Sequence, residues 1–519
     1  DNHEVVGAWP IRFLLFKLMF MSGVVKIQAN CPTWQNLTAL EFHFATQCLP
    51  GPLAWYGHQL HPLLLRLGVA ATFVIEIPAA FMLLAPSVTI RRVGAWMQIF
   101  LQVLIILTGS YNFFNLLTIT LCFPCMIGDV SPKTVKSYSL RMWDTFQLAF
   151  CAIFLAWSCM EMFIIERIQD SGDPTHRMTS LKLAMTKYEC NLLVDRTIPV
   201  TVASALVFTA VAGLRSATKK KSFRFNTCIH TLVCCLCIAI TAVPLLDLSP
   251  NLPQSSVLGI ELSSSTWRNI RLHSGSVSHG YGLFRRMTGV GQQSPDGANA
   301  VGWAGLPPSI VARPEIILDA LIDDSEEWRE LKFRWKPGDT HQLPLQAAPH
   351  QPRFDWRMWF AALGTIQHNP WLVSFTNKLL QGCSTVIDLL DEPEIAAGKA
   401  KIRRVRANLY HYDFTRLDSK WARQIPGTKI LGTNSLFNLF PDQVWTRNLI
   451  RQYLPPLESD NTSLLEFLQH AGYGSSICLD NADRCVSVGP GAQIPCHLAS
   501  YIRKWNTNFR VLPLVSFLL

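Results

Sequence analysis

The sequence predicts a membrane α-helical bundle of five to seven spans followed by a luminal α+β or β-sandwich-like domain. Two contrasts carry that prediction. Residues 9–248 hold nearly all the long apolar runs, and seven of these approach or reach the ~17–25 residues that a bilayer-crossing helix needs. Residues 255–519 instead mix Trp, Arg, Asp and Glu throughout, as globular domains do. The expected division is a multi-span domain over 1–254, with a luminal loop at 30–62, and a luminal C-terminal domain over 255–519.

Overall composition agrees. Only 16% of residues are charged and mean hydropathy is +0.20, both unusual for a soluble protein. The formal charge of +10 is shared as +6 in 1–254 and +4 in 255–519, so neither half has the basic density of a nucleic-acid binder. The chain begins at Asp1 with no cleavable signal pattern before the first apolar run, which predicts a truncated start.

The expected spans are 10–28, 63–85, 93–109, 111–127, 145–165, 198–214 and 228–248. Gly109 and Ser110 alone separate the third from the fourth, as in a tight helical hairpin or one re-entrant unit. Arg91, Arg92, Lys133, Lys136, Arg141, Arg215, Lys219, Lys220, Lys221 and Arg224 lie in loops that seven crossings place on one face, the cytoplasmic one. The loop 166–197 carries both signs of charge and falls opposite. An odd number of crossings puts the C-terminal domain in the lumen, where the sequons at Asn36 and Asn461 become candidate glycosylation sites.

Charge inside a span is costly and marks a functional candidate. Arg12 and Lys26 lie near the ends of the first span and read as snorkelling side chains. Lys17 and Glu76 lie deeper, and a mutually compensating Lys17–Glu76 pair is the expectation.

In the loop 30–62, short helical pieces between Pro–Gly turns, with Trp34, Phe42, Phe44, Trp55 and Tyr56, predict a packed cap lying along the interface. His43, His58 and His61 with Cys31 and Cys48 lack the compact spacing of a zinc site. A Cys31–Cys48 disulfide closing sixteen intervening residues is the favoured reading in an oxidising compartment. No cofactor is expected.

Past residue 253 the period changes. Residues 315–321, 328–335 and 404–414 alternate as strands, with 323–327 as the hairpin turn between the first two. Residues 356–363 and 372–380 have helical spacing, and 445–451 together with SLLEFLQHAGY predicts one or two further helices. Arg353, Asp355, Trp356, Arg357 and Trp359 combine aromatic and Arg side chains as binding hot spots do. The same tryptophans also suit a core, with the Arg and Asp cementing a turn. Cys383, Cys478, Cys485 and Cys496 allow two bridges in three connectivities, of which Cys478–Cys485 closes the shortest loop.

Enzyme signatures are missing. There is no Gly-x-Ser-x-Gly nucleophile elbow, no Walker loop, and no third glycine after Gly289 and Gly291 for a dinucleotide site. The expectation is a protein that is not an enzyme.

Several motifs are specific: CPTW at 31–34, LTAL at 37–40, PLAWYGHQL at 52–60, YGLFRRMTGVG at 281–291, RWKPGD at 334–339, APHQPRFDWRMWFAALG at 348–364, NPW at 369–371, KLLQG at 378–382 and YHYDFT at 410–415. Together they resemble the lipase maturation factor family over most of the chain. The segment RPEIILDALIDDSEEW departs from the family pattern, as does Cys48, where the family pattern has Pro nearby. The resemblance implies a glycoprotein of the endoplasmic reticulum membrane that acts as a chaperone in folding and assembling homodimeric secreted lipases or other secretory proteins. Its implied partners are those clients, luminal folding and redox factors, and the lipid bilayer. The resemblance is densest at 348–364, which makes that segment the candidate client surface. An alternative from another class is a membrane-embedded enzyme, because the multi-helix half also looks like that of vitamin K-dependent carboxylase, with Lys17 as the mid-span base. An apolar cavity lined by Lys17 and Glu76 would favour it.

Overall fold

The computed structural model describes residues 2–127, 138–169, 177–218, 225–246, 248–249, 256–257, 260–261, 285–287, 313–350, 352–416, 441, 443–459 and 462–473. The chain divides into two compact units. One comprises Asp1–Phe44, Leu60–Leu107 and Phe113–Met287, and the other Ala45–Gln59, Thr108–Asn112 and Thr288–Leu519.

The first unit is helical. Its elements are α1 (Asn2–Gln28), α2 (Pro32–Gln35), the start of α3 (Ala39–Thr46), and then, after α4 (Ala54–His58) of the other unit, α5 (Pro62–Glu76), α6 (Pro78–Met82), α7 (Val88–Thr108), α8 (Phe114–Met126) and α9 (Tyr138–Met162). A hairpin of β1 (Phe163–Gln169) and β2 (Arg177–Leu183) leads to α10 (Lys187–Thr218) and α11 (Phe225–Leu246). Among the described residues six helices are long and apolar enough to cross a membrane: Val5–Gln28, Pro62–Met82, Val88–Thr108, Met142–Met162, Lys187–Ala217 and Phe225–Leu245. The first two are 61% buried and the others 22–39%, so α1 and α5–α6 form the centre around which the rest pack. Trp96, Phe100, Trp143, Phe146, Phe150 and Met160 point outward, as hydrocarbon allows.

The expected span at 111–127 is shorter than its apolar run suggests. Helix α8 has 13 residues, about 20 Å against a hydrocarbon thickness of about 30 Å. Its last carbonyls therefore need partners, and arginines supply them. Arg12 donates to Pro124 O from Nε and Nη2 at 3.0 and 2.9 Å, and Arg92 Nε donates to Met126 O at 3.0 Å. Arg12 is thus buried as a helix cap and does not snorkel as the sequence suggested.

The span Pro62–Met82 breaks at Ile77, where Pro78 cannot continue the donor ladder. The carbonyl of Ile75 beside the break accepts from Gln98 Nε2 at 2.7 Å. Helix α1 approaches this break at Gly23, where a Cβ would lie 3.0 Å from Glu76 Cβ and 2.5 Å from Ile77 Cγ1.

In the second unit, β5 (Arg313–Ile322), β6 (Arg329–Glu330), β7 (Ile402–Phe414) and β8 (Trp445–Glu458) form an antiparallel sheet in the order β6-β5-β7-β8. (A two-residue pair, β3 at Ser256–Val257 with β4 at Ile260–Glu261, precedes it in the chain.) Ile316 faces Leu409, Leu318 faces Ala407 and Ala320 faces Val405, giving the sheet an apolar side. Helices α12 (Arg353–Ala362), α13 (Pro370–Leu380) and, beyond the short α14 (Ser384–Ile387) and α15 (Pro393–Ala396), α16 (Thr462–His470) cover it through Met358, Leu372, Phe375, Leu379, Leu464 and Leu468. Of the two arrangements the sequence left open, the described residues form the α+β one.

Two expectations are corrected. Residues 445–458 form a long edge strand, where a helix was expected over 445–451. The adjacent Pro455 and Pro456 would break a helix, whereas an edge strand accommodates them where the β7–β8 register shifts. The expected strand at 328–335 pairs with β5 at Arg329 and Glu330, and beyond them Phe333 makes an isolated antiparallel bridge with Leu390. Between them Lys332 turns away, its N–H going to Glu392 Oε1 and its carbonyl to the N–H of Asp391.

Gly23 tests the packing of the first unit. Gly23→Val should overpack the contact with the Ile77 break and cost about 1–3 kcal/mol, read as a lower unfolding temperature of the purified protein in detergent. An unchanged midpoint would show that α1 does not approach so closely.

Candidate functional site

The segment 348–364 becomes helix α12, preceded by Pro352 as N-cap residue and ending where Leu363 takes the C-cap. At about 100° per residue, Asp355, Met358, Trp359 and Ala362 fall on one side and Trp356, Arg353, Arg357 and Phe360 on the other. The first group is buried. Asp355 accepts the N–H groups of Trp335 and Lys336 at 3.1 and 2.9 Å, so it cements the turn carrying RWKPGD. Burial holds its carboxyl above the ordinary range despite those two donors. Arg353, Arg357 and Phe360 are exposed, and the guanidinium of Arg357 lies 4.4 Å over the ring of Trp371. Trp356 is half-buried and meets Tyr111 edge to face. Of the five residues singled out in the sequence, Asp355 and Trp359 are therefore turned inward, while Arg353, Arg357 and part of Trp356 face out.

Loop segments 45–59 and 108–112 build a second constellation in the same unit, one that the sequence reading did not foresee. Arg313, fully buried, sends Nη1 to the carbonyls of Ala45 and Gln47 and Nη2 to that of Cys48 and to Glu315 Oε1. Glu315 in turn lies 3.1 Å from Lys336 Nζ, and the indole of Trp445 stacks 5.6 Å from the guanidinium. Two cations against one carboxylate would be costly here without the carbonyls that complete the shell. Leu49 and Gly51 pair with Ser110 and Thr108, and Gln47 Nε2 donates to Thr108 O at 2.7 Å while Tyr111 donates to Gln47 Oε1 at 2.7 Å. Gly109 is required at this crossing, since any Cβ would overlap Gln47.

Helix α4 docks on the end of β7. Trp55 Nε1 donates to Thr415 Oγ1 at 3.0 Å, Gln59 Nε2 to Thr415 O at 2.9 Å, and His58 lies against Phe414. Two motifs far apart in sequence, PLAWYGHQL and YHYDFT, are thus in contact. Burial lowers the His58 imidazole from 6.5 to about 4, with the charge of Arg416 adding to the effect.

In the first unit Glu76 has a different partner from the one expected. Lys26 Nζ lies 2.6 Å from Glu76 Oε2 and also donates to Ser22 O and Oγ, while Ser22 Oγ donates to Glu76 Oε1 at 2.7 Å. Ser22 and Lys26 are one turn apart on α1, whereas Lys17 precedes Lys26 by nine residues, about two and a half turns, and lies on the opposite face. Lys26 is buried, not snorkelling, and the carboxylate is enclosed by these groups.

Cys31 and Cys48 are both free thiols, which corrects the expected bridge. Cys31 starts α2 with Sγ 3.2 Å from Thr33 Oγ1, and Cys48 is buried in the turn held by Arg313, where burial raises its thiol to about 12. Cys383 is disulfide-bonded, while Cys478, Cys485 and Cys496 lie outside the described residues. Asn36 is exposed at the C-cap of α2, and Asn461 is outside the described residues. Among the described residues no group of three or more His, Cys, Asp or Glu side chains is placed to hold a metal.

Residues 1–131 match the family model described as lipase maturation factor transmembrane domain, and 300–429 the one described as lipase maturation factor C-terminal domain. The chain is 34% identical over 436 residues to lipase maturation factor 2 of Gallus gallus, covering 80% of this chain and 57% of that relative. It is 32% identical over 499 residues to the Xenopus laevis protein of the same name, with 91% and 63% covered. The Homo sapiens protein gives 32% over 491 residues, with 91% and 62% covered. The chain thus spans about three fifths of the length of these curated relatives. No solved structure matches.

Two outcomes are expected. Lys26→Met or Glu76→Leu alone leaves an unpaired charge and should cost about 3–5 kcal/mol, whereas the double replacement should recover most of that. Additive losses in thermal unfolding would mean that the two groups do not interact. For His58 the folded imidazole is harder to protonate than the unfolded one. Its contribution is therefore intact above pH 6.5 and lost as pH falls toward 4. His43, lowered to about 4 chiefly by burial, acts in the same direction. His58→Gln should make the unfolding midpoint less sensitive to acid between those values, and an unchanged pH profile would contradict the burial.

Proposed function

This chain belongs to the lipase maturation factor family, and on that premise we propose that it is a folding factor, not an enzyme, that assists assembly and secretion of homodimeric lipases or related secretory proteins. It is a multi-span membrane protein. With the short α8 counted as a seventh crossing, the endoplasmic reticulum membrane with a luminal C-terminal unit is the placement that best fits its charged loops and the disulfide at Cys383.

The observation that carries the reading is the use made of the buried polar groups in the second unit. Arg313, Glu315, Lys336, Asp355 and Tyr412 are engaged with one another or with backbone, so they hold a scaffold together. A membrane enzyme would need an open cavity at Glu76, and the enclosure of that carboxylate by Lys26 and Ser22 favours the folding factor instead.

Depleting the protein in secretory cells should lower the lipase activity released into the medium while lipase synthesis is unchanged, and restoring this chain should rescue it. Release that is indifferent to depletion would overturn the assignment.

A further inference from the structure

The outward side of α12 is an amphipathic face whose position along the chain indicates what it meets. Arg353, Arg357 and Phe360 are exposed at successive turns, Phe360 by 52%, with Trp356 beside them. Aromatic rings flanked by guanidiniums are the composition of a helix lying in a bilayer interface, where the rings sit at the glycerol level and the cations reach phosphate.

Two contacts fix this helix and the segment before it to the connector between α7 and α8. Trp356 packs edge to face on Tyr111 with ring centroids 6.5 Å apart, and Ala347 N donates to Ser110 Oγ at 3.0 Å. Tyr111 follows Thr108, the last residue of the span Val88–Thr108, by three positions, and the apolar α8 starts three residues later. Tyr111 therefore lies no more than about 10 Å along the chain from the end of that span. Leu345, 44% exposed and two residues before Ala347, adds apolar surface next to this anchor.

We propose that the Arg353–Arg357–Phe360 face of α12, with Trp356 at its edge, rests on the phospholipid headgroups of the bilayer that this chain spans. The rings enter the interface and the two arginines bind lipid phosphate. The proposal rests on membrane insertion, not on the identity of any client, so it stands or falls separately from the folding-factor reading.

The test places the photocrosslinker benzoylphenylalanine at position 360 of the full chain, reconstituted in phosphatidylcholine–phosphatidylserine vesicles. The span residue Phe100 serves as the lipid-exposed reference and Leu449, on β8, as the comparison within the second unit. Irradiation should give phospholipid adducts at 360 and 100 and far fewer at 449. Arg353→Glu combined with Arg357→Glu should cut the adduct at 360 roughly tenfold. No lipid adduct at 360, equal labelling at 449, or an adduct unaffected by charge reversal overturns the proposal. So does predominant crosslinking of position 360 to a secretory protein in cells, which would make this face a client surface.

Discussion

A guanidinium without access to water needs its N–H groups met by the protein, and Arg313 engages both of its Nη groups by gathering chain from a distant part of the sequence. Its partners are the carbonyls at 45, 47 and 48, and these fix the turn after α3. The turn sets Gln47 against Thr108 and Tyr111, which sets Ser110 against Ala347 and Tyr111 against Trp356. From the other end of the same loop, Trp55 and Gln59 hold Thr415 at the end of β7. The sheet, the helix that covers it and two short loops are thus one cooperative object. Removing the 45–48 turn would leave Arg313, Glu315 and Lys336 as an incompletely compensated charge cluster.

The same accounting organises the helical unit, where water is scarcer still. At several described breaks and ends of helix there, a long polar side chain meets a free carbonyl: Gln98 at Ile75, Arg12 at Pro124, Arg92 at Met126, and Arg91 at Ala85 and Pro86. Lys26 and Glu76 neutralise each other with Ser22 filling the remaining valences. Charges that looked like sites in the sequence serve here as caps and ties.

How much of this was legible depended on whether the cause was local. Apolar runs gave the membrane half and alternation gave β5 and β7, because both are properties of a few consecutive residues. Amphipathic spacing likewise gave α12 and α13. The failures were non-local. Lys26 was set aside for its position near a helix end, yet a helical wheel places it with Ser22 on one face, one turn apart, and that signal was available. Residues 445–451 read as helix, yet the strand that holds them runs on through Pro455 and Pro456 to 458, a continuation that a helix would not allow. Nothing local distinguished Arg313 from a surface arginine at the start of a strand. The only hint was that PLAWYGHQL and YHYDFT were both specific motifs without a job of their own, and they prove to be neighbours.

The segment 348–364 shows how this unit uses its buried polar groups. Its inward residues, Asp355 and Trp359, are committed to the fold, and Asp355 faces two backbone donors, not a cavity. Burial raises its carboxyl. Tyr412 likewise donates to Gly338 O and is met by Arg447, itself tied to Glu330. Groups fixed in this way confer rigidity at the expense of reactivity, because moving a proton would break the contacts that hold the backbone. What the second unit can offer is therefore its surface, at positions fixed by its interior. A rigid surface of this kind is consistent with the folding-factor role proposed above.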